Sequence, residues 1–134
     1  MKENDLIIER TGKFKFGETV DMLVAEAGRR DWQVPAVHDL QQSLAKSGKT
    51  VKPVKVIEIC KPAYSGSMLE LNDERVISVM MPCRISVYEK EDGKTYIALI
   101  NVGHLSKGLP EKIAGVMKAA SEETIEIVST VVLS

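Results

Sequence analysis

Asp92-Gly93 lies between two runs of alternating apolar residues, with Ile85 and Val87 before it and Ile97 and Leu99 after it. An Asp-Gly pair in that setting dictates a tight hairpin, because glycine takes the positive φ that the turn requires. The pattern therefore predicts two strands within residues 76–101, turning at Glu91-Asp92-Gly93. The chain before the hairpin does not alternate strand and helix regularly. Residues 5–11 read as a strand, ending at Thr11-Gly12. Val20, Leu23, Val24 and Ala27 then fall at i, i+3, i+4 and i+7, one face of a helix over residues 18–30. Glu18 and Asp21 near its start and Arg29 and Arg30 near its end suit the helix dipole.

Trp32-Gln33-Val34 reads as a short extended link into Pro35, after which Val37, Leu40 and Leu44 form a weaker helical stripe that stops at Ser47-Gly48. Residues 54–60 predict a strand with Val54, Val56, Glu58 and Cys60 on one side and Lys55, Ile57 and Ile59 on the other. Lys61-Pro62 ends it, and residues 63–71 suit a short helix. Leu109-Pro110-Glu111 opens the last helix, with Ile113, Val116, Met117 and Ala120 as its buried face. Residues 124–133 read as its continuation, although their many β-branched side chains would equally suit a strand.

The resulting order is strand, helix, helix, strand, short helix, hairpin, helix. That order does not make a doubly wound parallel sheet; it predicts an α+β fold in which an antiparallel sheet carries helices on one face. At 134 residues, without repeats or an interdomain linker, the chain reads as one domain over 1–134. The edges and open face of such a sheet are commonly covered by pairing with a second copy, so a homodimer is expected.

Charge narrows the partners. The 18 basic and 19 acidic residues give a net charge of -1 and alternate along the chain, which leaves no basic footprint for nucleic acid or an anionic membrane. Aromatic residues make up 4% and are not interleaved with arginine, so no base-stacking platform is expected. No apolar run approaches the ~20 residues that span a bilayer. The first residues lack the pattern of a signal peptide, and the expected location is cytoplasmic.

Two cysteines have the most distinctive neighbourhoods: Glu58-Ile59-Cys60-Lys61-Pro62 and Met81-Pro82-Cys83-Arg84. A nearby cation lowers a thiol's pKa, and the thiolate is the form that attacks electrophiles or binds metal. The competing reading is packing, with Cys60 ending a core strand and Cys83 sharing a face with Ile85 and Val87. Glu58 shares the predicted face of Cys60, on a side either open to water or holding a carboxylate near the thiol. If Glu58, Cys60 and Cys83 met a histidine such as His104, the set would contain ligand types suited to zinc or iron, although the spacing matches no ligand motif. His38 and His104 are also candidate bases, against surface or capping roles. Tyr64-Ser65-Gly66-Ser67 lacks the pattern of a phosphate cradle and reads as a turn.

The Thr11-Gly12 strand end, the helix after it, the Ile59-Cys60-Lys61-Pro62 step and the run Met81-Pro82-Cys83-Arg84-Ile85-Ser86-Val87-Tyr88 together resemble the domain-of-unknown-function-302 family across roughly residues 7–109. The resemblance implies a curved antiparallel sheet with helices on one side, of the kind compared with the TATA-binding-protein half-domain, and a homodimer. It implies no established activity, and DNA binding does not follow from the fold.

Three readings of function result. The first is a homodimeric module that binds a small ligand or metal around Glu58, Cys60, Cys83 and Arg84. The second is an enzyme or carrier using Cys60 or Cys83 as a thiolate, with His104 as base, for redox or sulfur chemistry. The third is a structural or protein-interaction module. No particular cofactor is indicated by the sequence.

Overall fold

The computed structural model describes residues 6–133. Its strands are β1 (Ile7–Thr11), β2 (Gln33–Asp39), β3 (Val54–Cys60), β4 (Cys83–Glu89) and β5 (Thr95–Ile100). Its α-helices are α1 (Phe16–Arg29), α2 (Leu40–Ala45), α3 (Pro62–Leu69), α4 (Val102–Leu105) and α5 (Glu111–Ser129), with a 3-10 segment at Asn72–Met80. The strands form one antiparallel sheet in the order β1-β5-β4-β3-β2. The α+β class follows the pattern read from the sequence.

Alternation builds the core. Ile57 and Ile59 of β3, Ile85 and Val87 of β4, and Ile97 and Leu99 of β5 all face α1 and α5, which contribute Val20, Leu23, Ala27, Ala120, Ile127 and Val128. The hairpin forms as the Asp-Gly signal dictates, with Gly93 at φ 77° and Asp92 accepting a hydrogen bond from the Lys94 backbone N–H. On the opposite face of the sheet, the Glu9 carboxylate accepts from Tyr88 Oη and Lys90 Nζ, and the Lys90 amine lies 4.0 Å from the Tyr96 ring centroid.

Helix α1 ends in a Schellman arrangement. The Trp32 N–H bonds the Ala27 carbonyl and the Asp31 N–H bonds that of Gly28, with Asp31 left-handed at φ 64°. This stop aims Trp32 back at the helical layer, where it is buried.

Three expectations need correction. Residues 33–39 are a full edge strand, not a link into a helix that includes Val37. Pro35 is tolerated there because an edge strand has one side without ladder partners, and the register shifts between Gln33 and Ala36. The helix starts only at Leu40, where the Asp39 side chain accepts from the Gln42 N–H. Residues 76–80 belong to the 3-10 segment, so the first hairpin strand begins at Cys83. Residue 5, placed at the start of the first predicted strand, lies outside the described residues. The last helix does continue, to Ser129.

Candidate functional site

The proposed site residues fall in three places. Glu58 and Arg84 are cross-strand partners of β3 and β4 on the face away from α1 and α5. There Glu58 Oε2 lies 3.0 Å from His38 Nε2 and 3.9 Å from Arg84 Nε. Neither Glu58 nor His104 lines the cavity that holds the thiols. His104 sits in α4, where its backbone N–H bonds the Asn101 side chain.

Cys60 and Cys83 do come together. Ile59 and Cys83 are cross-strand partners, which puts Cys83 on the helix-covered face against the core. At Cys60 the strand ends, and its Sγ lies 3.4 Å from Ser65 Oγ on α3. Pro62 at the first helical position starts α3 immediately and folds that helix over the strand end. Both cysteines then line one narrow cavity of about 30 Å³, together with Met68, Met81, Trp32 and Tyr64. Burial pushes the Cys83 thiol up from its ordinary value, and the neighbouring Cys60 adds to the effect.

Beside the cavity stands a polar cluster centred on Glu123 of α5. Its carboxylate accepts from Trp32 Nε1 at 2.7 Å, Lys61 Nζ at 2.7 Å and Tyr64 Oη at 2.6 Å. Burial opposes ionisation, but these bonds outweigh it and hold the carboxyl below the usual range. Tyr64 is correspondingly raised, chiefly because it donates to Glu123. The Lys61 amine also lies 5.5 Å from the Tyr64 ring centroid. The cluster ties together the α1 end, the β3–α3 junction and α5, and so fixes one wall of the thiol cavity.

Lys61 is committed to Glu123, and Arg84 projects from the other face of the sheet. Sequence reading missed Glu123 because Glu122-Glu123 resembles any solvated stretch of helix. It missed the methionines because apolar residues at helical spacing carry no mark of a shared cavity.

No helix among the described residues is long and apolar enough to cross a membrane. No curated protein matches the sequence. Among solved structures, the uncharacterized conserved protein DUF302 from Bacillus stearothermophilus superposes with a TM-score of 0.82 at 16% identity, covering 92% of this chain and 95% of that one. That likeness shows the fold. The sequence itself matches the family described as "Domain of unknown function DUF302" over residues 8–131. The chain belongs to the DUF302 family.

Proposed function

We propose that the cleft between Cys60 and Cys83 binds one small thiophilic species, a metal ion foremost, and that the domain works as a homodimer. The observation that carries the reading is the shared cavity: two thiols from different strands line a space of about 30 Å³. That volume admits roughly one water-sized species, so it suits an ion and not an organic metabolite.

The thiolate enzyme draws less support. The raised Cys83 thiol is a poor nucleophile at neutral pH, and the two cations adjacent to the cysteines in sequence are engaged elsewhere: Arg84 is on the opposite face and Lys61 is paired with Glu123.

The homodimer is supported by exposed apolar surface. Val76 and Val79 of the 3-10 segment are 79% and 80% exposed, and they sit at i, i+3 on one side of a short helical turn. Sedimentation of the wild type against Val79→Lys tests this part; a wild type that is monomeric at all concentrations removes it.

For the site, reduced and chelator-stripped protein is treated with Ag(I) or Cd(II) and then alkylated. One equivalent of ion is expected to protect both cysteines together. Alkylation that proceeds unchanged in the presence of both ions overturns the reading.

A further inference from the structure

Resting on that reading, we infer that the ion is monovalent and soft, Cu(I) in preference to Zn(II), and that the thioethers of Met68 and Met81 complete the coordination begun by Cys60 and Cys83. Cys60, Cys83, Met68 and Met81 line the same cavity. Cys83, Met68 and Met81 also line an adjoining cavity of about 30 Å³, with Met80 and Met117 on its far side. The sequence has six methionines and two cysteines; both cysteines and two of the methionines line the first cavity, and two further methionines line the second.

The rest of the first cavity's wall offers little to a hard cation. Ile59, Pro82 and Ala120 are apolar, Trp32 and Tyr64 use their polar atoms on Glu123, the Lys61 amine is neutralised by the same carboxylate, and the Ser65 hydroxyl, 3.4 Å from Cys60 Sγ, is a single neutral oxygen. Glu123 in turn is occupied by three donors. Among the described residues, no group of three or more His, Cys, Asp or Glu side chains is placed to hold a metal.

Ligand chemistry then chooses the ion. Structural Zn(II) takes four ligands in a tetrahedron drawn from thiolate, imidazole and carboxylate, and this site supplies only two of them. Thiolate combined with thioether is the donor set that selects Cu(I). Binding Cu(I) leaves the metal's oxidation state unchanged and releases the protons of the thiols it replaces to solvent. A merely packing role is the rival account of the methionines, since Met fills irregular gaps in many cores; it differs in what Met→Leu does to metal affinity.

The test is anaerobic titration of the full chain with Cu(I), supplied by a competing Cu(I) chelator of known affinity, for wild type, Cys60→Ser, Cys83→Ser and the double variant Met68→Leu/Met81→Leu. Leucine nearly conserves volume, and thermal melting of the metal-free proteins confirms that each is folded. The expected result is one tightly bound Cu(I) per chain. Affinity should fall on the order of ten- to a hundredfold in the methionine double variant, as when a metal site loses supporting partners, while the weaker Zn(II) affinity stays unchanged. Two outcomes overturn the inference but spare the thiol site: unchanged Cu(I) affinity in the methionine variant, or Zn(II) bound more tightly than Cu(I). Cu(I) affinity unchanged in both cysteine variants overturns the inference and the thiol site together.

Discussion

Ile59 and Cys83 are cross-strand partners in the β3–β4 ladder, and this pairing places the Cys83 thiol within the helix-covered layer, one residue along from the partner strand's Cys60. The neighbouring pair, Glu58 and Arg84, necessarily faces the other way. One register thus separates two sets of residues that lie side by side in sequence.

That separation predicts how Cys83 reacts. In Cys60→Ser protein, alkylation of Cys83 should reach half its maximal rate above pH 9.0, the ordinary thiol value, because burial is the main cause of the upward shift and survives the substitution. Arg84→Gln should leave that profile where it was. Stopped-flow alkylation against pH checks both; a profile that moves with Arg84 would place the guanidinium near the thiol after all.

Glu123 should matter for stability and for its pH dependence. A carboxyl held low in the folded state binds fewer protons there than in the unfolded chain at acid pH. Its contribution is therefore complete above 4.5, the ordinary value, and is lost as pH falls through the lower folded value. Glu123→Gln should lower stability by about 1–3 kcal/mol at neutral pH, since Lys61 loses its charged partner. It should also flatten the acid side of the stability profile. Urea unfolding at a series of pH values measures both effects.

Two glycines should respond to alanine for different reasons. At Gly12 an added Cβ would sit 3.0 Å from Ile97 Cδ1 and 3.1 Å from the Thr95 carbonyl oxygen, and overpacking of this kind costs about 1–3 kcal/mol. At Gly93 an added Cβ would meet nothing within 4 Å among the described residues beyond its chain neighbours, but φ is 77°, and a left-handed L-residue costs about 1–2 kcal/mol. Gly93→Asn should recover part of the Gly93→Ala loss, because Asn tolerates that conformation. No asparagine rescue is expected at Gly12. Thermal melts of the four variants decide it.

Much of the fold was readable because local signals agreed with the tertiary outcome. The stripe of Val20, Leu23 and Ala27, the alternation of residues 54–60 and the Asp92-Gly93 turn each have one stable solution, and the structure adopts it. The edge strand at residues 33–39 was hidden by Pro35, whose cost depends on whether a neighbour needs the missing N–H, and that is decided by topology. Residues 76–80 looked like strand because Val76, Ile77 and Val79 are β-branched, yet only Ile77 is buried. At the site, the nearness of Cys60 and Cys83 arises from strand register, and the Glu123 cluster from a helix more than 50 residues downstream. Neither is encoded in spacing along the chain.

The most direct test of the account is the metal-to-protein ratio of the anaerobically loaded, desalted chain, measured for wild type and for the Cys60→Ser/Cys83→Ser double variant. One thiophilic ion is expected to be retained per wild-type chain and none by the folded double variant. Equal retention by the two proteins, or none by either, would contradict it.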